Sequence, residues 1–193
     1  LKSKLASEDI LLSVTIRLHQ AKFPKQTGIP PADRGMLMFY NIGEVTDPDE
    51  ENSILNDTAA RRYLTNYRDY PLPLDLALPI FYWGAVFREG RLVRLINKLQ
   101  ATDLADTIRF INLSENRYAV RKSTYLEGQY LYQSDQIRLE AVPPARLRAI
   151  SKLIREQFQP DNFHLAFYHL DPETIKYYPN DTLQSIIQIF QSP

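Results

Sequence analysis

The stretch MLMFYNIGE, residues 36–44, joins an apolar run to a polar end. Its first five residues are apolar or aromatic, which is typical of a strand that is buried on both faces. Tyr40, Asn41 and Glu44 then bring groups that can donate hydrogen bonds, accept them or ionise. The stretch therefore predicts a buried strand whose carboxyl end carries side chains suited to binding or catalysis.

Three other segments share this design, because each becomes polar or aromatic toward its carboxyl end. They are LLSVTIRLHQ at 11–20, LDLALPIFYW at 74–83 and NFHLAFYHLD at 162–171. Apolar residues at helical spacing follow the second, third and fourth of the four strands, over 58–70, 144–159 and 181–190. Strands that alternate with helices indicate an α/β fold with a parallel sheet.

Residues 84–142 break this alternation. An Arg-Glu-Gly turn at 88–90 lies between alternating apolar positions, and a second ribbon surrounds Ser134 and Asp135. A short helix is predicted over 101–111. We expect an α+β insertion between the third and fourth strands, without a core of its own, inside a single domain that spans 1–193.

Composition excludes several classes of protein. The 193 residues are 44% hydrophobic and carry 23 basic and 23 acidic side chains that are scattered along the chain, so the basic footprint of a nucleic-acid binder is missing. The sequence has no cysteine, which rules out disulfides and thiolate chemistry. No apolar run reaches the ~18 residues of a membrane span.

Two short motifs, in this order along the chain, resemble the late strands of the chitinase-like glycoside hydrolases. One is Met38-Phe39-Tyr40-Asn41, which is similar to that family's Met-x-Tyr-Asp/Asn strand, and the other is the run LPIFYWG at 78–84, which is similar to its Leu-Pro-aromatic strand before an α+β insertion. Residues 165–171 would supply the closing strand. The chain resembles the C-terminal half of such a barrel, and most closely uncharacterised bacterial barrel proteins.

The resemblance implies a partial (β/α)8 barrel, with four of the eight strands that a complete barrel uses. It also implies a carbohydrate-active protein in which this chain lines the glycan site. The family's catalytic signature, alternating Asp residues that end in a Glu, is missing from this chain. A non-catalytic ligand-binding domain and a protein-interaction domain therefore remain as alternatives.

Candidate site residues lie at the carboxyl ends of the four strands, where barrel active sites collect. Tyr40 and Glu44 are the catalytic candidates, the first to stabilise an oxyanion and the second as a general acid or base. The candidates for substrate binding are Arg17, His19, Met38, Asn41, Tyr82, Trp83, His169 and Asp171. Arg17 and His19, two positions apart, suit an anion or a substrate carboxylate.

Competing interpretations apply to several of these residues. Arg17 can equally pair with a carboxylate for purely structural reasons, Trp83 can pack in the core, and a Glu at a strand end is commonly just solvated. The acidic loop at 47–52 lacks calcium-loop spacing and the three histidines are far apart, so we predict no metal site and no cofactor.

One geometric prediction connects these assignments. If all four strands are parallel, Arg17, His19, Tyr40, Asn41, Trp83 and His169 lie at the same end of one sheet. A half-barrel would also leave sheet edges open and favour self-association. The compartment stays open, with a secreted or cell-envelope protein expected if an N-terminal part has been removed.

Overall fold

The computed structural model describes residues 1–64, 67–157 and 162–191, and it divides the chain into two compact units. The first consists of Leu1–Ile42, Asp57–Ile80 and Pro143–Pro193, and we call it the parallel unit. The second consists of Gly43–Asn56 and Phe81–Val142, and we call it the antiparallel unit. The chain crosses between the units several times, so neither is a single continuous segment.

The parallel unit is built on a four-stranded sheet. Its strands are β1 (Ser13–Arg17), β2 (Arg34–Met38), β3 (Leu74–Pro79) and β11 (Leu165–Tyr168), in the order β1-β2-β3-β11. Every neighbouring pair is parallel, and each strand pairs with the next one of this sheet along the chain. The α/β class and the parallel sheet are confirmed.

Seven helices accompany the described strands, all in the parallel unit. They are α1 (Lys2–Ala6), α2 (Leu18–Lys22), α3 (Pro24–Thr27), α4 (Asp57–Tyr63), α5 (Pro144–Gln157), α6 (Pro172–Tyr177) and α7 (Asn180–Gln191). The helices predicted at 144–159 and 181–190 correspond to α5 and α7, except that residues 158 and 159 lie outside the described part of the chain. The helix predicted at 58–70 is shorter: α4 ends at Tyr63, and a 3₁₀ turn follows at Tyr67–Asp69.

The two faces of the parallel sheet differ in polarity. On one face, Ile16, Leu37, Leu76 and Leu78 are buried, with at most 1% of each residue exposed. The strand register places Arg17 beside Met38 on the opposite face, which is partly open to solvent in β1 and β2. Alternation along a strand therefore separates the core from the polar candidates, as the period of two requires.

Arg34, Asp75 and His164 tie the amino ends of three strands together. The Arg34 guanidinium donates to both oxygens of the Asp75 carboxylate, at 3.0 and 2.6 Å. The backbone N–H of His164 also donates to that carboxylate at 2.7 Å. Burial raises the pKa of Asp75, but the hydrogen bonds from Arg34 and His164 outweigh it, so the net pKa is lowered.

Two predicted strands were too long. The segment 11–20 forms a strand only as far as Arg17, because Gln20 folds back and its Oε1 accepts the Arg17 N–H at 2.9 Å, which starts α2. The strand within 74–83 ends at Pro79, a residue that cannot donate to a ladder, although the Ile80 N–H still donates to the Tyr168 carbonyl oxygen at 2.8 Å. Trp83 instead begins the next strand, in the antiparallel unit.

The antiparallel unit contains a five-stranded sheet and a separate hairpin. The sheet order is β5-β4-β10-β7-β6, from β4 (Trp83–Arg88), β5 (Arg91–Asn97), β6 (Phe110–Ser114), β7 (Arg117–Val120) and β10 (Gln136–Glu140). The hairpin pairs β8 (Thr124–Leu126) with β9 (Gln129–Leu131). The predicted Arg-Glu-Gly turn is confirmed, with positive φ at Glu89 and Gly90.

The helix predicted over 101–111 is wrong. Only a 3₁₀ turn forms, at Ala101–Leu104, and β6 begins at Phe110. The Asp106 carboxylate accepts the backbone N–H of Ile108 at 2.9 Å. This local bond offers the backbone an alternative to helix, as short acidic side chains commonly do.

The antiparallel unit has its own buried cluster, contrary to the expectation of an insertion without a core. Its members, all nearly inaccessible to solvent, are Val86, Ile96, Leu99, Leu104, Phe110, Tyr118, Val120, Leu126, Leu131 and Ile137. The unit also extends beyond the predicted 84–142, because Gly43–Asn56 belongs to it. That the two units form a single domain stays a prediction.

Arginines of the antiparallel sheet hold the segment 43–56. Arg138 donates to the Asp47 carbonyl oxygen at 2.6 Å, and Arg117 donates to the Pro48 carbonyl oxygen at 2.6 Å. Arg138 is 1% exposed and also donates to the Glu140 carboxylate at 2.7 Å. Hydrophobic periodicity cannot predict contacts of this kind, because they join polar groups far apart in the sequence.

Candidate functional site

A cleft of about 610 Å³ opens in the parallel unit at the carboxyl ends of β1, β2 and β11. Its lining consists of Thr15, Arg17, Leu18, His19, Met38, Tyr40, Asn41, Ile42, Tyr63 and Tyr168. Parallel strands bring their carboxyl ends together, so this is where the fold places ligand sites. Five of the ten predicted site residues meet in this cleft: Arg17, His19, Met38, Tyr40 and Asn41.

Two stacked tyrosine rings form one side of the cleft. The ring centroids of Tyr40 and Tyr168 are 5.1 Å apart and the ring planes differ by 12°. Burial, followed by the proximity of Tyr168, raises the pKa of Tyr40, so its hydroxyl stays protonated and can donate a hydrogen bond at neutral pH. Tyr168 keeps 49% of its surface exposed, and it lies on the cleft lining.

Arg17 and His19 reach the cleft from two different elements. Arg17 is the last residue of β1, and His19 lies in the first turn of α2. The sequence placed both on one strand, and the turn that starts α2 keeps them at the same cleft. Both side chains are exposed, so a ligand can contact them without first displacing a protein partner.

Asn41 occupies the left-handed backbone region, with φ of 53°. Asparagine adopts this conformation more readily than other residues that carry a side chain. The chain therefore turns immediately after Tyr40, and Asn41 and Ile42 remain on the cleft lining. Within MLMFYNIGE, Tyr40 and Asn41 are thus part of the site, and Asn41 is also where the chain turns.

Glu44 belongs to the antiparallel unit, and its environment does not favour acid catalysis. Its carboxylate accepts the hydroxyl of Thr46 at 2.6 Å and the Thr46 N–H at 3.2 Å. These hydrogen bonds lower the pKa of Glu44, whereas a general acid near neutral pH needs a raised pKa. Its catalytic role stays a prediction without geometric support.

Tyr82 and Trp83 also belong to the antiparallel unit. Tyr82 is 4% exposed and its hydroxyl accepts a hydrogen bond from the Gln100 side chain at 3.1 Å. The indole N–H of Trp83 donates to the Glu140 carboxylate at 3.1 Å. Both polar groups are engaged in the structure of this unit, which is the competing interpretation that the sequence left open for Trp83.

His169 and Asp171 follow the last parallel strand. Tyr168 takes the cleft position, and His169 contacts the edge of the Tyr168 ring, with centroids 5.2 Å apart. The Asp171 carboxylate accepts the N–H groups of Glu173 and Thr174 and so caps α6. The sequence carried this signal, because Asp followed by Pro is a common start of a helix.

Sequence reasoning missed two aromatic residues of the lining. Tyr168 was not selected, although strand parity predicts that only one of Tyr168 and His169 faces the cleft. Tyr63 is the last residue of α4, and the helical spacing predicts an ordinary core position for it, although it lines the cleft. Nothing in its sequence neighbourhood distinguishes it from Tyr67, which is buried.

No group of three or more His, Asp or Glu side chains that suits a metal ion occurs within residues 1–64, 67–157 and 162–191. In the same part of the chain, no helix is long and apolar enough to cross a membrane.

The comparisons with known proteins agree on the fold. A chitinase from Chromobacterium violaceum superposes on 100% of this chain with a TM-score of 0.54 and 13% sequence identity. The C-terminal domain of a putative chitinase from Desulfitobacterium hafniense superposes on 98%, with a TM-score of 0.54 and 11% identity. The resemblance to chitinase-like folds is confirmed.

A third structure is catalytic domain 2 of a group II chitinase from Ostrinia furnacalis, in complex with penta-N-acetylchitooctaose. It matches 99% of this chain with a TM-score of 0.50 and 11% identity. This chain spans 57–59% of the length of the three matched chains. No protein-family model and no curated protein sequence matches it.

Proposed function

We propose that this chain is the carbohydrate-binding part of a glycoside-hydrolase-like protein, and that the glycan binds in the cleft of the parallel unit. The stacked pair of Tyr40 and Tyr168 carries the proposal. An aromatic face packs against the C–H face of a sugar ring, while nearby polar groups bind its hydroxyls. Arg17, His19 and Asn41 supply such groups on the same lining.

The fold supports this assignment by analogy. The sheet order β1-β2-β3-β11 follows chain order, as it does in a (β/α)8 barrel, and the similar structures include a chitinase domain that was solved with a chito-oligosaccharide. The proposal takes the four parallel strands as part of a (β/α)8 barrel. Tyr40 contacts the substrate through its hydroxyl.

A non-catalytic binding role is the second candidate. Among the described residues that line the cleft, none is an Asp or a Glu, and glycoside hydrolysis ordinarily uses a pair of carboxylates. The protein that contains this chain is then a hydrolase if another segment supplies the acid, and a lectin-like binder if none does. Assays of chito-oligosaccharide cleavage by the complete protein distinguish the two.

Titration with chito-oligosaccharides tests the proposal. We expect Tyr168→Ala to weaken binding at least about tenfold, because it removes the exposed half of the stack. Tyr125→Ala is the matched control, since Tyr125 is also an exposed tyrosine but lies in the hairpin of the antiparallel unit. Equal affinity of the wild type and Tyr168→Ala, or the absence of binding to any glycan, would overturn the proposal.

A further inference from the structure

The described lining of the cleft carries a positive charge and no negative one. The described residues of this lining include one arginine, Arg17, and one histidine, His19, but no carboxylate. The chain as a whole has equal numbers of acidic and basic residues. The charge balance of the whole chain therefore does not hold on this lining.

Other arginines on the strands show what a structural arginine looks like in this fold. Arg34 pairs with Asp75 at 2.6 Å, Arg88 with Asp135 at 2.8 Å and Arg138 with Glu140 at 2.7 Å. Arg17 has no such carboxylate partner within the described residues, and its side chain is exposed at the cleft. Within residues 1–64, 67–157 and 162–191, no carboxylate therefore makes the structural pairing that the sequence left open for Arg17.

The position of Arg17 relative to the tyrosine pair limits the ligand. Arg17 ends β1, at one edge of the sheet, and Tyr168 ends β11, at the other edge. Three strand spacings, about 14 Å, separate these two strands. Both side chains nevertheless line one cleft, so a ligand that contacts both meets an aromatic face and a cationic group.

We propose that the cleft selects a carboxylate-bearing oligosaccharide, a chain of acidic sugars, rather than a neutral glycan. This inference rests on the proposed carbohydrate function and adds the charge of the ligand. The Arg17 guanidinium binds the sugar carboxylate through two parallel N–H donors, a geometry that suits arginine better than lysine. His19 adds a further donor, and Tyr40 and Tyr168 hold a neighbouring ring.

The test uses two ligands with the same sugar chain, an oligogalacturonate and its fully methyl-esterified form, in which each negative carboxylate is replaced by a neutral methyl ester. Each is titrated into the 193-residue chain at low salt. We expect the acid to bind at least about tenfold more tightly than the ester, and added salt to reduce this ratio. Arg17→Gln should bring the ratio close to one, because it weakens binding of the acid more than binding of the ester. Arg91→Gln, which removes an exposed arginine from β5, should leave the ratio intact.

The outcomes separate the two proposals. If the acid and the ester bind equally and Tyr168→Ala weakens both, the proposed function survives and the charge selectivity is wrong. If Arg17→Gln leaves the ratio unchanged, Arg17 is not the selective group and the inference is also wrong. If a panel of neutral, carboxylated and sulfated oligosaccharides shows no binding, both proposals fail. A preference for sulfated over carboxylated chains also overturns the choice of carboxylate.

Discussion

Arg17 in the parallel unit and Arg138 in the antiparallel unit show two uses of an arginine on a strand. Arg138 is buried, donates to Glu140 and to the carbonyl oxygen of Asp47, and lies 4.9 Å from the centroid of the Phe87 ring. Arg17 is exposed at the cleft, without a carboxylate partner within the described residues. An arginine whose guanidinium is already bonded to protein groups has a structural role, whereas one without such partners can bind a ligand.

The local sequences of the two arginines do not reveal this difference. SVTIR and QIRLE are both short strands in which apolar and polar residues alternate. The segment that satisfies Arg138 is about 90 residues away along the chain, at 45–47. A buried charge needs such distant partners because its desolvation is otherwise too costly.

The largest expected effect comes from breaking the buried pair of the antiparallel unit. Glu140→Gln leaves Arg138 buried without a counter-charge and weakens the hydrogen bonds from Ser53 and Trp83. We expect the free energy of unfolding to fall by about 3–5 kcal/mol. Urea unfolding followed by the fluorescence of Trp83 measures it, because Trp83 is the only tryptophan and lies in this unit.

Arg109→Gln provides the control for this experiment. Arg109 pairs with Asp106 at 2.8 Å in the same unit, but both side chains are more than a third exposed. Surface pairs contribute little to stability, so this variant should unfold near the wild-type midpoint. A Glu140→Gln variant as stable as Arg109→Gln would show that the buried pair is not required for folding.

An intermediate effect is expected at Asp75 in the parallel unit, and it depends on pH. The folded-state pKa of Asp75 is lowered, so the ionised carboxylate stabilises the fold above pH ~4, the ordinary Asp value. This stabilisation is lost as the pH falls through the folded-state pKa. Asp75→Asn should therefore be less stable than wild type at neutral pH and should converge with it in acid.

Denaturant titrations from neutral to acidic pH, followed by far-UV circular dichroism, test the prediction for Asp75. Asp33→Asn is a suitable comparison, since the pKa of Asp33 is also lowered but its carboxylate is more exposed than that of Asp75. A constant stability difference between wild type and Asp75→Asn at all pH values would contradict the assigned role of its ionisation.

The smallest effect on stability is expected for Arg17. Because its side chain is exposed and without a carboxylate partner in the described part of the chain, Arg17→Gln should leave the free energy of unfolding unchanged within experimental error. Thermal and urea unfolding of the variant and the wild type measure this. A loss similar to that of Glu140→Gln would identify Arg17 as a structural residue and remove the contrast between the two units.

The sequence by itself determined the α/β class, the direction of the four parallel strands and the polar cluster that follows β2. These features depend on local patterns: apolar runs, helical spacing and the Asn that allows a turn after Tyr40. The resemblance to the chitinase-like fold also rested on short local motifs, at 38–41 and 78–84. Local information was sufficient because each feature is encoded within a few residues.

Only the tertiary structure decided which side chains meet. Tyr168 and Tyr63 lie on the cleft lining, whereas Trp83 and Glu44 belong to the antiparallel unit. Asp171 caps the amino end of α6. The tertiary structure also showed that Arg138 donates to Glu140 and to the carbonyl oxygens of Val45 and Asp47, while Arg17 is not paired with a carboxylate of the described chain. These outcomes depend on contacts between residues far apart in sequence, and the same local pattern is compatible with either result.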